Sequence, residues 1–143
     1  MAITTSAITS SFKKQLLGGV QNIANGGNTL KLALYTDTAV IGPSIASYTT
    51  TGQVGNSGDY TAGGKSLAGQ TTSLSGTTAI ADFADLSYLT ATISAMGALI
   101  YNSTAGNKSI AVLDFSTVKT STAGTFTIQF PNYTDTLAII RLA

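Results

Sequence analysis

Residues 58–69, GDYTAGGKSLAG, contain a Gly-Lys-Ser triplet of the kind that ends a phosphate-binding loop. In such a loop, G-x-x-x-x-G-K-[ST], backbone N–H groups surround the phosphates and the lysine reaches them. With Gly64 as the inner glycine, the outer position is occupied by Asp59, and the residues after the triplet lack helical periodicity. A phosphate-binding loop needs both that glycine and a helix that begins after it. The spacing therefore argues against a nucleotide site and predicts a glycine-bearing turn with an exposed Lys65.

Three aspartates stand where a carboxylate could act on a metal or a substrate. Asp82 and Asp85 are three residues apart in DFAD, and Asp114 lies in the apolar run VLDF. Two such carboxylates share a cation only on a turn, and a calcium loop needs further oxygen ligands that this stretch lacks. We therefore expect Asp82 and Asp85 to cap turns or lie at the surface. Asp114 is expected to bond to the backbone or to face outward at a sheet edge.

The sequence has no His, Cys or Glu. This removes the most common general base, thiolate nucleophiles and most zinc ligand sets. No spacing points to a specific Ser/Lys nucleophilic pair. We predict no catalytic residues, no cofactor and no metal, and hence a protein that is not an enzyme.

Charge is sparse along the chain. Charged residues make up 9% of it and the net charge is +1, whereas roughly a quarter of the residues of an average protein are charged. The seven cations are scattered, so the sequence predicts no nucleic-acid partner. Thr and Ser form roughly a quarter of the chain, well above ordinary usage. A surface whose polarity comes from hydroxyl groups exerts little long-range repulsion, and cyclic closure is the usual outcome of self-association, so we predict a homo-oligomer, a trimer.

The N-terminal residues and the hydropathy give no sign of a membrane. MAITTSAITSSF lacks the basic and apolar regions of a signal peptide. No apolar run approaches the length of a membrane span. We expect a soluble protein without a membrane partner.

One α-helix is predicted near the N-terminus, over about residues 10–24. Ser10 or Ser11 is its expected cap, and Asn25 with the two glycines after it its expected stop. Two glycines at 18 and 19 cost about 1 kcal/mol each against Ala, so the helix is expected to be short, bent or tightly packed. The residues assigned to its apolar face are Phe12, Leu16, Leu17, Val20 and Ile23.

Most of the remaining chain shows the two-residue period of β-strands. In TFTIQFP, the residues Phe126, Ile128 and Phe130 alternate with polar ones, and LKLALYT alternates over residues 30–36. Denser apolar runs in ATISAMGALIY, SIAVLDF and TLAIIRL are typical of strands covered on both faces. The pattern predicts an all-β protein, a β-sandwich or jelly-roll-like fold with one N-terminal α-helix, as a single domain over residues 1–143.

The expected turns share the triplet Thr-Ala-Gly, at residues 61–63, 104–106 and 122–124. Each copy places a glycine where the chain is predicted to reverse, because glycine adopts positive φ without a Cβ clash. NSTAGNK, residues 102–108, joins two strong strand patterns and predicts a hairpin loop.

The region over about residues 42–76 has the lowest apolar density and is predicted to form extended segments and long loops. Loops of this length in a small domain are usually functional or held by a partner. Tyr48, Tyr60 and Lys65 are its candidate protein-contact residues, because tyrosine combines apolar area with a polar tip. Tyr101, flanked by apolar residues, is expected to be an ordinary strand residue.

Six phrases are spread along most of the chain: SFKKQLLGGV, KLALYTDTA, YTTTGQV, GDYTAGGKSLAG, ALIYNSTAGNKSIAVLDF and TSTAGTFTIQFPN. Together they resemble a family of small virion structural proteins of tailed bacteriophages, and the resemblance runs from Phe12 to Arg141. It is specific for the family and less so for the role within the virion. The family implies no catalytic residues, so none are carried over to this sequence.

Among virion roles, this sequence is most similar in type to a capsid decoration (cement) protein. The resemblance implies a small β-sandwich, often trimeric, that is made in the host cytoplasm and lies on the outer capsid surface. There it would join neighbouring capsomers by binding the major capsid protein. A second role stays open, a tail or fibre component that binds a receptor or glycan through residues 48–67.

Overall fold

The computed structural model describes residues 3–143, and this part of the chain contains eight strands and one helix. The strands are β1 (Ala7–Ile8), β2 (Leu30–Tyr35), β3 (Lys65–Ser66), β4 (Thr71–Ser75), β5 (Thr78–Asp82), β6 (Leu86–Asn102), β7 (Lys108–Ile128) and β8 (Ile140–Leu142). The helix α1 is Ser10–Leu17. All pairings are antiparallel, in a larger sheet of order β1-β7-β6-β2-β3 and a smaller one of order β4-β5-β8. The predicted all-β, sandwich-like fold with one helix is confirmed.

Around β2, the larger sheet is covered on both faces. Leu30, Leu32 and Leu34 of β2 enter one buried cluster, while Ala33 and Tyr35 enter a second cluster on the opposite face. All five side chains are fully buried. Strand β2 therefore keeps the period of two but has two apolar faces, which explains why its alternation in the sequence is weak. Burying each leucine stabilises the fold by about 1.5–3 kcal/mol.

The smaller sheet packs against the first of these clusters through one of its faces. Ala81 of β5 and Ile140 of β8 are opposite each other in register and belong to the same cluster as Leu32. Strand β4, on the far side of β5, is exposed over its first four residues. The smaller sheet thus joins the core through its middle and last strands.

A long hairpin of β6 and β7 forms the centre of the larger sheet. Its loop begins at Asn102, whose side-chain oxygen accepts hydrogen bonds from the backbone N–H groups of Thr104 and Ala105. This side chain closes the turn in the way that Asn and Asp commonly do. The hairpin predicted at residues 102–108 is confirmed. Strand β1 lies on the outer side of β7, where Ala7 is opposite Val112.

The Thr-Ala-Gly triplets do not share one structure. The glycines at 63 and 106 have positive φ in turns, as predicted. The third triplet lies inside β7, so the reversal predicted at 122–124 is wrong. There Ala123, not the glycine, has positive φ, at 46°, and the register between β6 and β7 shifts nearby. Pairing with β6 continues on both sides of the triplet, so the chain does not reverse and the irregularity is a bulge in the strand.

Helix α1 ends at Leu17, so the predicted extent to residue 24 is wrong. Gly19 has a φ of 67°, and the N–H of Val20 bonds to the carbonyl of Gln15 at 2.9 Å. Together with the bond from the Gly19 N–H to the Leu16 carbonyl, these contacts form a Schellman motif, which terminates helices.

The start and the apolar face of the helix also differ from prediction. Thr9, and not Ser10 or Ser11, caps the helix, because its side-chain oxygen accepts a bond from the Phe12 N–H at 3.3 Å. Phe12 is buried and Leu16 packs against the core, but Leu17 is 93% exposed. Leu17 is the last residue of the helix, and its side chain points into solvent.

The region predicted as extended segments and long loops, residues 42–76, contains two short strands, β3 and β4. Before β3, isolated bridges join Ser47 to Lys108 and Gln53 to Tyr35, so this segment is tied to the larger sheet. Strand β4 corrects the prediction most clearly, since TTSLS pairs with β5 along its whole length.

Candidate functional site

The Gly-Lys-Ser triplet lies at the edge of the larger sheet, where β3 pairs with β2 and Lys65 is opposite Leu32. Gly64 has a φ of 80°, and a Cβ built on it would lie 1.7 Å from the carbonyl oxygen of Leu32. A side chain at this position is therefore excluded on two grounds, the backbone angle and the space. The glycine of the triplet allows β3 and β2 to approach closely. An extended strand, and not a helix, follows it.

Lys65 is held by partners within the chain. Its Nζ donates to the Asp59 carboxylate and, at 2.8 Å, to the carbonyl oxygen of Ser87. It also lies 5.1 Å from the centre of the Tyr88 ring. The hydrogen bond from Lys65, with a weaker one from the Leu89 N–H, lowers the pKa of Asp59 below its usual value. Asp59 occupies the position where a phosphate loop needs glycine, so the residue that breaks the motif is the one that binds the lysine.

Tyr60 is part of the core, so its prediction as a contact residue is wrong. Its side chain is 1% exposed, and its hydroxyl oxygen accepts a hydrogen bond from the Leu34 N–H at 2.9 Å. Its ring packs edge-on against that of Tyr88, with centroids 4.9 Å apart. Burial raises the pKa of Tyr60 to about 12.

Tyr48 is half-buried and attaches its loop to the larger sheet. Its ring stacks on that of Tyr101 with centroids 4.6 Å apart, and its hydroxyl donates to the Gln53 side chain at 2.6 Å. The Tyr101 hydroxyl in turn donates to the carbonyl of Gly63 at 2.6 Å. Burial raises the pKa of Tyr101 to about 12. Tyr101 is a buried strand residue, as expected, and of the three candidate contact residues Tyr48 and Lys65 remain partly exposed.

Two of the three aspartates bond to the backbone. Asp85 accepts a hydrogen bond from the Phe130 N–H at 2.9 Å, and Asp114 accepts one from the Ser116 N–H at 2.8 Å. Asp82 ends β5, opposite Thr71 of β4, and one of its carboxylate oxygens is buried without a partner. Within residues 3–143, no group of three or more His, Cys, Asp or Glu side chains is placed to hold a metal ion.

The exposed surface of the strands carries hydroxyl groups and isolated apolar side chains. Residues 71–74 of β4 are all exposed, with Leu74 72% accessible. The far half of β7, residues 116–125, is mostly exposed and consists largely of Ser, Thr and small residues around Lys119. These two strands are the parts of the sheets most open to a partner.

Three grooves accompany these strands. Two, of about 550 and 440 Å³, lie beside β7 and share Ser6, Leu113, Pro131 and Ile139 as lining residues. A third, of about 160 Å³, lies between α1 and the smaller sheet and is lined mainly by apolar side chains. Sequence reasoning missed β4 and its groove, because TTSLS has too few apolar residues to show a strand period. The high Ser and Thr content of this stretch was the one feature of the sequence that favoured a strand there.

Within the described residues, 3–143, no helix is both long enough and apolar enough to cross a membrane. Neither a family model, nor a curated protein, nor a solved structure matches this chain.

Proposed function

We propose that this protein is a non-enzymatic structural component of a tailed-phage virion, and that it is a capsid decoration protein. In this role it lies on the outer capsid surface and stabilises the lattice by binding the major capsid protein. The resemblance of six phrases between Phe12 and Arg141 supports the virion assignment. Two structural features add support: polar side chains that bond within the chain, and exposed strands that carry hydroxyl groups.

The observation that carries the proposal is that Lys65 and two of the three candidate aspartates serve the chain's own architecture. Lys65 binds Asp59 and a backbone carbonyl, while Asp85 and Asp114 accept backbone N–H groups. The exposed strand surfaces, by contrast, carry Ser and Thr with little charge. Such a surface suits broad contact with another protein, since few charges need to lose their hydration.

The rigid attachment of the loops fits the same role. Residues 48–64 are fixed through the Tyr48–Tyr101 stack and the buried Tyr60 hydroxyl. A surface that is ordered before binding loses little conformational entropy when it binds. A protein that must remain on a capsid benefits from this, because its affinity comes from contact area that is already in place.

One observation favours the second role, a receptor- or glycan-binding module of the tail or fibre. Tyr48 is half-buried within residues 48–67, and its hydroxyl bonds to the Gln53 side chain, so apolar area and polar groups that suit a sugar lie side by side. In this role the partner would be a ligand outside the virion.

Copy number in the purified virion separates the two roles. We expect a quantitative gel of purified particles to give a fixed, high ratio of this protein to the major capsid protein. Imaging of the particles should place it on the capsid surface. Detection at the tail alone, in few copies, would contradict the decoration role and support the second one.

A further inference from the structure

The outer edge of β4 is a sheet edge without the features that usually block strand addition. Exposed edges are normally protected by charged side chains, proline, bulges or a covering segment. The stretch from Ser66 to Ala81 has no charged residue and no proline. Strand β4 pairs with β5 in continuous register, and no other strand of residues 3–143 lies on its outer side.

The other sheet edges in the described residues are each protected. The outer edge of β7 is covered by β1 at Ala7 and Ile8, and beyond it carries Lys119 and two residues with positive φ, Ser116 and Ala123. Strand β3 is two residues long and includes Lys65, and β8 is three residues long with Arg141 at its centre. Strand β4 is longer than both and uncharged.

We propose that β4 pairs with β4 of a second copy of this chain, antiparallel and about a two-fold axis at Ser73. A two-residue turn joins β4 to β5, and the residues that flank such a turn, Ser75 and Thr78, form a hydrogen-bonded pair. Hydrogen bonding alternates along an antiparallel strand, so the N–H and C=O groups of Thr72 and Leu74 point outward. A two-fold axis at Ser73 places Thr72 opposite Leu74 of the second copy, and the outward groups of both residues are then paired.

The same register accounts for the exposed Leu74. Thr72, Ala81 and Ile140 lie side by side on one face of the smaller sheet. Directly opposite residues share a face, so Leu74 of the second copy extends this row next to Thr72. Thr72 is also part of the apolar groove formed with Leu16 and Ile23. The pairing therefore brings an exposed leucine to the open side of an apolar groove, once in each copy.

Charge favours a second copy of the chain as the occupant. Like charges that face each other across an antiparallel pair are unfavourable, and a strand that meets its own copy duplicates every charge it carries. Strand β4 has none, and the net charge of the whole chain is +1. The contact is isologous and joins copies in pairs. It is thus distinct from the three-fold contact that a trimer needs.

Cysteine substitution tests the register directly, because the chain has no cysteine of its own. In S73C, the two Cα atoms meet across the axis as a non-hydrogen-bonded pair about 4.5 Å apart, which a disulfide can span. In T71C, the matched control on the same strand, the two positions are offset by four residues, roughly 13 Å. We expect mild oxidation to give a covalent dimer of S73C and to leave T71C uncrosslinked. Equal crosslinking of the two variants, or none in either, would overturn the proposal.

Sedimentation velocity over a concentration series is the second test. We expect a dimer in the wild-type protein, and L74K should weaken it by about tenfold or more by adding like charges at the contact. V118K adds the same charge at the edge of β7 and should leave the dimer unchanged. A monomer at every concentration, or an oligomer that L74K does not weaken, would overturn the pairing. These tests use the isolated protein, so their failure is separate from a failure of the virion role, which rests on copy number.

Discussion

The two sheets contain strands of similar length and pairing that differ in burial. In the larger sheet, β2 is buried on both faces and its leucines belong to the main cluster. In the smaller sheet, β4 is almost wholly exposed, although it is nearly as long and pairs as regularly. Stability is therefore concentrated in the larger sheet, while the smaller one offers backbone and apolar surface to a partner. Regular pairing alone does not distinguish a strand that holds the fold from one that is available for binding.

A matched pair of leucine truncations gives the largest contrast between the sheets. Leu32→Ala leaves a cavity in the main cluster and should lower the free energy of unfolding by about 3 kcal/mol. Leu74→Ala removes a side chain that is 72% exposed and should change it by less than about 0.5 kcal/mol. Urea denaturation at a protein concentration low enough to keep the chain monomeric measures both. Equal losses would show that β4 supports the fold as strongly as β2.

A matched pair of glycines sharpens the comparison. Gly64→Ala meets the Leu32 carbonyl oxygen and should destabilise the protein by about 2–3 kcal/mol as β3 shifts away from β2. Gly76→Ala, in the β4–β5 turn, has a φ of 61° but open space around the new Cβ. It should cost about 1 kcal/mol, which is the backbone penalty alone. Thermal denaturation checks the order, and a larger effect at Gly76 would contradict it.

Removal of single hydroxyl groups tests how the loops are attached to the larger sheet. Tyr60→Phe leaves the buried Leu34 N–H without its acceptor and should cost about 1–2 kcal/mol. Tyr48→Phe loses a bond to Gln53 at a half-buried position and should cost about 0.5 kcal/mol. Chemical denaturation at neutral pH compares the two variants. If Tyr48→Phe were the more damaging, the loop would depend on its outer contact more than on the core.

The buried tyrosines should have no effect on stability at neutral pH, and their effect should appear only at alkaline pH. Burial raises the pKa of Tyr60 and of Tyr101 to about 12, whereas tyrosine in an unfolded chain titrates near 10. Between these values the unfolded chain has lost protons that the folded one retains, so stability falls as the pH rises above 10. Below pH 9 we expect no change from these groups. Denaturation curves from pH 8 to pH 11.5 measure the slope, which Tyr60→Phe should reduce.

Where the side-chain pattern was strong, the fold followed from the sequence. Phe126, Ile128 and Phe130 are buried as their alternation predicts, and the hairpin lies where Asn102 and the residues after it predicted a turn. The third Thr-Ala-Gly triplet was misread, because pairing with β6 outweighs the local preference for a turn. Strand β4 was missed because it is almost wholly exposed, so its sequence has little apolar pattern although it pairs regularly with β5.

The candidate site was predicted less well, because its contacts depend on how a loop folds back. The absence of a phosphate loop follows from Asp59 alone, but the ion pair with Lys65 follows only from the path of the chain between them. Tyr60 and Tyr48 lie in similar polar surroundings in the sequence. One enters the core and the other stays at the surface, and this difference is set by the position of the loop over the larger sheet.

The pairing of β1 with β7 has a consequence for synthesis. Ala7 leaves the ribosome more than a hundred residues before its partner Val112 is made. Joining such distant segments requires closing a long loop, which slows folding. The β6–β7 hairpin, with its short connection, is expected to form first and to provide the template on which β2 and then β1 assemble. The larger sheet is therefore completed only after β7 has been made, and until β1 pairs with it β7 has an exposed edge.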